Sequence, residues 1–282
     1  MTPISAVIIT LNAERYLDRV LTSLLGVCAE IVVLDSGSTD GTRAIAERHG
    51  VRFAVQPFTG YGAQKRSAVA LAKHDWILSL DADEVLDAQA RDSLRSVLIT
   101  GPRTCWRIRR RNHVGEREIR HGHWTPDWCL RLFNRTVHTF SGDAVHEAVR
   151  PTGPVLTLPG SLLHYGYSDL SDVIRLKYHR LKAESYRAKG RRAGSATLVL
   201  RAGWAFVHSY VIKRGLLDGQ AGVVVALSAS LNAVLGLAQA SWLQPPPDPR
   251  PADPRSADPR SAGPDGPPPA PPTPGPAPAP AR

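Results

Sequence analysis

Three carboxylates stand close together after an apolar run. Trp76-Ile-Leu-Ser-Leu leads directly into Asp81-Ala-Asp83-Glu84. Because clustered carboxylates repel one another, their ionised forms need a cation or several hydrogen-bond donors nearby. Mg²⁺ or Mn²⁺ held by one or two carboxylates, with substrate phosphates completing the shell, meets that need. The alternative is that the acids simply precede a helix capped by Asp87 and interact with its dipole.

A fourth acid follows another apolar run. Ile31-Val-Val-Leu leads into Asp35, and the small polar turn Ser-Gly-Ser-Thr-Asp-Gly-Thr comes next. An acid in this place can contact a ribose or a base, and small residues let the backbone approach a ligand closely. A plain turn with Thr39 or Asp40 as a helix cap is the alternative.

The elements that carry these acids alternate between strand and helix patterns. Short β-branched runs predict buried strands, and helical patterns with capping or stop signals lie between them. The predicted strands are 6–9, 31–34, 51–55 and 76–80, and the predicted helices begin after Asn12, at Thr42, at Ala63 and after Asp87. Such alternation predicts an α/β fold with a mostly parallel sheet flanked by helices. Ligands bind such sheets beyond the carboxyl ends of the strands, where the acidic loops meet.

Together these stretches resemble the inverting glycosyltransferases of family 2, which have the GT-A fold. The resemblance rests on Val7-Ile-Ile-Thr-Leu-Asn12, on the turn after Asp35 and on Leu-Asp81-Ala-Asp83-Glu84. It covers roughly residues 4–100. Within the family, Gly60-Tyr-Gly-Ala-Gln-Lys-Arg and the later His146-Glu147 are similar to the lipopolysaccharide core glucosyltransferases.

The resemblance to the family implies a UDP-sugar donor. The similarity to the core glucosyltransferases implies that this donor is UDP-glucose. Asp35 matches the acid that contacts the uracil, and Lys65 matches a basic residue that faces the nucleotide. Ser36 departs from the pattern, because many members carry a second aspartate there.

The resemblance also implies a divalent metal cofactor, Mg²⁺ or Mn²⁺. Asp81 matches the acid on the ribose or base side of the donor, and Asp83 matches the principal metal ligand. His164 corresponds to a late histidine that is a further metal ligand in some GT-A enzymes.

Inverting transfer needs a general base that takes the proton of the acceptor hydroxyl. Family members usually supply an aspartate or glutamate from the middle of the chain, and Glu147 is the best match. Asp143 and His146 compete with it, and a surface strand with exposed acids is a further interpretation.

The stretch Arg120-His-Gly-His-Trp-Thr-Pro-Asp-Trp128, followed by Arg131, suits an acceptor. Tryptophan faces stack on sugar rings, and arginines pair with phosphates or sugar carboxylates. A core tryptophan with solvated neighbours is the alternative. We expect an anionic glycan or glycolipid acceptor, and the resemblance implies the lipopolysaccharide inner core.

The chain of 282 residues has a formal charge of +10, concentrated in residues 103–120 and 175–192. Such segments suit phosphate-bearing partners. No recognised nucleic-acid motif appears, so no nucleic-acid partner is expected. Two alternatives stay open: a basic membrane-tethered nucleic-acid-binding module, and a nucleotidyltransferase acting on sugar phosphates. The latter usually carries a glycine-rich basic loop after its first strand, which this chain lacks.

The C-terminal part predicts a basic helix over 170–192 and apolar helices over 196–212 and 221–243. The last is long enough to span a bilayer, but Ser228, Asn232 and Gln239 form a polar stripe that favours an interfacial or protein-packed helix. We therefore expect peripheral attachment to the inner face of the cytoplasmic membrane. Residues 245–282 hold 17 of the 24 prolines and predict a disordered tail.

The expected organisation is a nucleotide-sugar-binding part (1–103), an acceptor-side and catalytic part of the same domain (104–168), membrane-associated helices (169–244) and the tail (245–282). Three cysteines without a Cys-x-x-Cys pair predict free thiols in a reducing compartment. No basic segment followed by a cleavage site precedes the first strand, so we expect a cytoplasmic catalytic part.

Overall fold

The computed structural model describes residues 2–141, 148–174 and 179–242. Asp143, His146, Glu147 and the proline-rich tail lie outside the described residues. Cys28, Cys105 and Cys129 are free thiols, as predicted.

Four parallel strands and their connecting helices build the first part of the sheet, as the alternation of patterns predicts. The strands are β1 (Ile4–Thr10), β2 (Glu30–Asp35), β3 (Arg52–Val55) and β4 (Trp76–Asp81), in the order β3-β2-β1-β4. The helices are α1 (Glu14–Leu24), α2 (Thr42–Arg48) and α3 (Tyr61–Leu71). Thr10 pairs with Asp35 and Ile9 pairs with Asp81, so both acids end strands that flank β1.

Helix α1 covers one face of this sheet. Leu17, Val20, Leu21 and Leu24 are fully buried against strand residues such as Ile8. Burial of each side chain stabilises the fold by about 1.5–3 kcal/mol.

Asn12 does not cap α1, which corrects the prediction. Ala13 is the N-cap residue, and Asn12 takes a left-handed conformation with φ of 51°. Its Oδ1 instead accepts a hydrogen bond of 2.9 Å from the Thr39 amide. The side chain therefore ties the loop after β1 to the loop after β2, and both loops border the site described below.

The second part of the sheet is mixed. It consists of β5 (Glu84–Leu86), β6 (Cys105–Val114), β7 (Arg117–Glu118), β8 (Asp127–Asn134) and β9 (Val155–Tyr167), with helix α4 (Ala88–Ser96) after β5. The full order is β3-β2-β1-β4-β8-β6-β9-β5, and β7 pairs with β6. Among the described strands of this part, β6 and β9 pair in parallel, whereas β6 and β8 pair antiparallel. The parallel arrangement is thus concentrated in the first 81 residues.

Asp87 caps α4 as predicted, since its side chain accepts from the Ala90 amide at 2.8 Å. A short strand nevertheless separates the acids from that helix. Glu84 belongs to β5, opposite His164 of β9. The acids therefore do not sit at the helix start.

The C-terminal helices are α5 (Leu170–Ile174), α6 (His179–Ala188), α7 (Ser195–Val207) and α8 (Gln220–Trp242). A π-helical turn (His208–Ile212) and a 3₁₀ turn (Gly215–Asp218) separate α7 from α8. The predicted basic helix over 170–192 is represented by α5 and α6, and residues 175–178 between them lie outside the description.

Helix α8 is long and apolar enough to cross a membrane, and its most apolar 18-residue window is 44% buried inside the protein. Its Ala221 and Val225 join a core cluster with Val114 and Ile119. A Cβ placed on Gly222 would lie 1.8 Å from the carbonyl oxygen of Gly215. The start of α8 therefore packs directly against the preceding turn.

Candidate active site

A cavity of about 830 Å³ opens beyond the carboxyl ends of β1 and β4. Its walls come from the loops after β1, β2 and β4, from α3 and from β9. The lining includes Asn12, Arg15, Ser36, Tyr61, Lys65, Asp81, Asp83, Arg110 and His164. The cavity is of the size that small-molecule sites have. The acidic loops therefore meet at one edge of the sheet, as the strand pattern predicts.

Asp81 is held by two cations. Its Oδ1 lies 3.0 Å from Lys65 Nζ, and its Oδ2 accepts a hydrogen bond of 2.8 Å from Arg131 Nη2. Burial alone would raise the pKa of Asp81, but the charges of Arg131 and Lys65 outweigh it and hold the pKa well below its usual range. Asp81 is therefore ionised at neutral pH.

Glu84 is 0% exposed and pairs with two arginines, Arg131 and Arg110. Its Oε1 accepts from Arg131 Nη2 and, at 3.3 Å, from Arg110 Nη1. Arg131 is thus a buried bridge between two carboxylates. This corrects the expectation that Arg131 faces the acceptor, and its role depends on β8 lying beside β4, which local sequence does not reveal.

Asp83 has a different environment. Burial raises the pKa of its carboxyl, the His164 ring opposes that effect, and the nearby carboxylates of Asp81 and Glu84 add to the increase. The Oδ2 of Asp83 lies 3.6 Å from Nε2 of His164. The negative charge of Asp83 is therefore less compensated than that of Asp81.

Asn112 fixes the orientation of the His164 ring. Its Nδ2 faces two acceptors, Asp127 Oδ2 at 3.2 Å and the Trp124 carbonyl at 3.5 Å. Its Oδ1 must then face His164 Nδ1, at 2.7 Å, and accept the proton on that nitrogen. In the neutral ring the lone pair of Nε2 consequently points toward Asp83.

The Asp83–His164 pair fits a divalent cation. A carboxylate oxygen and a ring nitrogen 3.6 Å apart can bind one ion, because metal–ligand distances are about 2.1 Å. The hydrogen bond from Nδ1 to Asn112 is the support that metal-ligating histidines usually have. Within the described ranges no group of three or more His, Cys, Asp or Glu side chains could hold a metal. Mg²⁺ is commonly held by one or two carboxylates, with substrate phosphates completing its shell, and Asp83 would be such a carboxylate.

Asp35 lies at the base of the loop after β2 and is 2% exposed. Its carboxylate accepts four hydrogen bonds, from the Thr10 and Ser38 hydroxyls and from the Gly37 and Ser38 amides, at 2.5–2.9 Å. Although burial opposes ionisation, these bonds lower the pKa of Asp35. Ser36, the next residue, lines the cavity. Asp35 therefore shapes the loop that presents Ser36, and its direct contact with the uracil stays a prediction.

A second cavity of about 350 Å³ adjoins the first and shares Arg110 and His164 with it. Trp124 stacks on Tyr167 in its wall, with ring centroids 4.8 Å apart. Asp127 lines it as well. Trp124 and Asp127 belong to the aromatic–basic stretch, whose contact with an acceptor stays a prediction. Arg110 and Asn112 have no signal in the sequence beyond their residue types.

The residues that flank the undescribed segment 142–147 lie beside the first cavity. The ring of Phe140 lies 5.7 Å from Lys65 Nζ, and Phe140 pairs with Val149. Arg66 Nη1 donates to the Ser141 carbonyl at 3.1 Å. The described residues just before residue 142 therefore lie beside α3, and Val149 is paired with one of them.

Residues 5–150 match the model of the family described as Glycosyl transferase family 2. The chain belongs to this family and is a glycosyltransferase. It is 34% identical to the lipopolysaccharide core biosynthesis glycosyltransferase LpsC of Rhizobium meliloti, over 84% of this chain and 91% of the relative. An uncharacterized glycosyltransferase of Rickettsia felis is 28% identical over 85% of this chain and 89% of its own length.

Among solved structures, the chain is similar to glucosyl-3-phosphoglycerate synthase from Mycobacterium tuberculosis in complex with Mn²⁺, UDP and glucosyl-3-phosphoglycerate. The identity is 26% and the TM-score is 0.34. The match covers 40% of this chain and 44% of that chain. Because the chain belongs to a glycosyltransferase family, the nucleotidyltransferase and the nucleic-acid-binding alternatives are wrong.

Proposed function

We propose that this glycosyltransferase moves a sugar from a UDP-sugar, in the first instance UDP-glucose, to an anionic glycan or glycolipid with inversion at the anomeric carbon. The observation that carries the proposal is the Asp83–His164 pair, which faces the cavity beside the neutralised carboxylate of Asp81. The printed name of the Rhizobium relative supports a lipopolysaccharide core acceptor.

Residues of the first cavity would bind the donor. Ser36 and the edge-on aromatic pair Phe58 and Tyr61, with centroids 5.0 Å apart, offer a surface for the base, in a loop shaped by Asp35. Lys65 and Asp81 would contact the ribose and phosphate side. Their mutual ion pair keeps both side chains in place before the donor arrives.

Asp83 and His164 would hold Mg²⁺ or Mn²⁺. The ion would supply Lewis-acid stabilisation of the charge that develops on the diphosphate leaving group. Arg110 and His164 line both cavities, so the anomeric carbon would lie near them and the acceptor would enter through the second cavity.

Glu147 is the proposed general base for the acceptor hydroxyl. The described residues around its segment support the proposal, because Phe140 and Ser141 lie against Lys65 and Arg66 of the donor side. The Trp124–Tyr167 stack would contact a sugar ring of the acceptor. The relative's role in lipopolysaccharide biosynthesis also supports a cytoplasmic enzyme at the inner face of the membrane.

The test is transfer from UDP-sugars to lipopolysaccharide core fragments, with and without Mn²⁺. Asp83→Ala should reduce turnover at least about 10²-fold, since several kcal/mol of charge stabilisation are lost. Asp92→Ala is the matched control, because that side chain is 74% exposed on α4 and should leave turnover unchanged. Near-normal turnover of Asp83→Ala in the presence of metal would refute the metal site.

A further inference from the structure

Helix α7 is apolar over most of its surface, and Arg201 is its one charged residue. On one side it packs against α8, where Ser230 Oγ donates to the Ala202 carbonyl at 2.9 Å. On the other side, exposed apolar residues recur at helical spacing, as Val199 and Val207, and as Leu200 and Trp204. A helix with so wide an apolar surface is typical of a protein interior or of a lipid environment. Yet α7 contains no buried residue.

The exposed apolar surface continues beyond α7 onto the two turns. We call it the α7 face, and every member is between 43% and 74% exposed: Val199, Leu200, Trp204, Val207, Val211, Ile212, Leu216 and Leu217. Soluble monomers rarely expose a contiguous apolar patch of this kind without a binding partner.

Positive charge surrounds the α7 face. Between Lys189 and Leu217 the sequence has six Lys and Arg residues and no Asp or Glu. Three of these cations are exposed beside the face: Arg201 lies on α7, and Lys213 and Arg214 lie between the two turns. Apolar side chains rimmed by cations match a surface with an apolar interior and anionic phosphates at its edge.

We propose that the α7 face inserts into the headgroup region of an anionic phospholipid bilayer. The tryptophan and branched side chains would enter the boundary of the acyl chains, and the three cations would lie among the lipid phosphates. The surface that binds the membrane is then α7 with its turns, whereas α8 packs against α6 and α7. Binding of the bilayer does not depend on the proposed function; only the link to the acceptor rests on it.

The acceptor-side cavity is attached to the same turns. The Gly122 amide donates to the Lys213 carbonyl at 2.9 Å, and the His121 amide donates to Asp218 Oδ2 at 2.8 Å. The His123 amide donates to Ser209 Oγ at 3.2 Å. This loop carries Trp124 into the second cavity. Insertion of the α7 face would therefore place the entrance for the acceptor beside the bilayer, where a lipid-linked sugar is presented.

The experiment is co-sedimentation of the full chain with vesicles, without any donor or acceptor. One set of vesicles contains phosphatidylglycerol in phosphatidylethanolamine, and the other contains phosphatidylcholine alone. The double variant L200E/W204E removes apolar contact at positions that are 74% and 63% exposed, so its fold should be unaffected. L98E is the matched control, because Leu98 is 84% exposed after α4 and outside the α7 face.

We expect the wild type and L98E to sediment with the anionic vesicles, and L200E/W204E to lose at least about tenfold in partitioning, given about 0.8 kcal/mol per buried methylene. Turnover on a water-soluble acceptor should be equal for all three, which separates this proposal from the proposed function. Wild-type protein that stays in the supernatant, or a double variant that binds as well as the wild type, would overturn the proposal. So would a lipid-free dimer that L200E/W204E dissociates, because a second copy would then cover the face.

Discussion

At the scale of single residues, Asn112 has a role that its chemistry makes testable. Asn112 would affect the proposed ion through the His164 ring, because its side chain fixes the orientation of that ring. Asn112→Leu keeps the size of the side chain but removes the acceptor for Nδ1. We expect Mn²⁺ affinity, measured by electron paramagnetic resonance, to fall about 10–100-fold, the usual cost of losing such a partner.

A double-mutant comparison separates this role from a general structural one. In a His164→Ala background, Asn112→Leu should cause no further loss of Mn²⁺ affinity, because the ring through which it acts is gone. Equal losses in both backgrounds would mean that Asn112 supports the site in another way.

Glu147 gives a second prediction at this scale. Glu147→Gln should lower turnover by roughly 10²–10⁴-fold, the usual contribution of a positioned base, and leave donor affinity unchanged. Calorimetry with UDP-sugar and product formation measure the two quantities on the same preparation. If donor affinity falls as well, the residue belongs to the donor side; if neither changes, Asp143 or His146 takes the role.

At the scale of elements, the junction of β4, β5 and β8 depends on Arg131. Arg131→Met leaves the buried carboxylate of Glu84 and the half-buried carboxylate of Asp81 without their shared partner. We expect the free energy of unfolding in urea to fall by about 3–5 kcal/mol. Arg43→Met is the control: that side chain is 69% exposed and pairs with Glu47 on α2, so its loss should cost less than about 1 kcal/mol.

The β6–β7 hairpin should make stability sensitive to acid. Arg111 donates two hydrogen bonds to Glu118, at 2.8 and 2.6 Å, and Arg120 adds a third. The hydrogen bonds from Arg111 have the largest effect on the pKa of Glu118, and the bond from Arg120 adds to it. Together they outweigh the effect of burial and lower this pKa to about 2. Because the pKa is lower in the folded state, this stabilisation is complete above about pH 4.5 and is lost as the pH falls toward about 2.

Urea titrations at about pH 5 and about pH 3 check this prediction. The wild type should lose more stability between the two values than Glu118→Gln, whose amide does not titrate. Equal losses would mean that the hairpin makes no contribution to acid sensitivity.

The elements also show how much of the fold and of the candidate site can be predicted from the sequence. Strands β1 to β4 are predictable because each lies in a short run of mostly apolar residues bounded by turn residues, and Asp35 and Asp81 end β2 and β4. The neighbours of Asp83 are not predictable in this way. His164 reaches it only because β9 pairs with β5, a contact between residues 80 positions apart that leaves no local pattern. Asn12 and Arg131 were misplaced for the same reason, since tertiary partners, and not local preferences, decide where their side chains lie.

At the scale of the whole molecule, residues 245–282 give a prediction of their own. A proline-rich segment with balanced charge has little apolar surface to bury, so we expect it to contribute nothing to catalysis. A chain that ends after Gln244 should have the same kcat and KM on a soluble acceptor as the full chain. A large decrease in kcat after clean truncation would show that the tail takes part in the site.

The pairing of β9 with β5 has a consequence for synthesis on the ribosome. Glu84 lies directly opposite His164 in that pairing, so a slip of one residue would replace the histidine beside Asp83 by Leu163 or Tyr165. The loops of the donor side leave the ribosome long before β9 does. A nascent chain therefore carries Asp35, Asp81 and Asp83 before His164, the proposed second metal ligand, has been synthesised. Under the proposed function, the chain could activate a nucleotide sugar only after β9 pairs with β5 in this register. Incomplete chains would therefore not hydrolyse the donor.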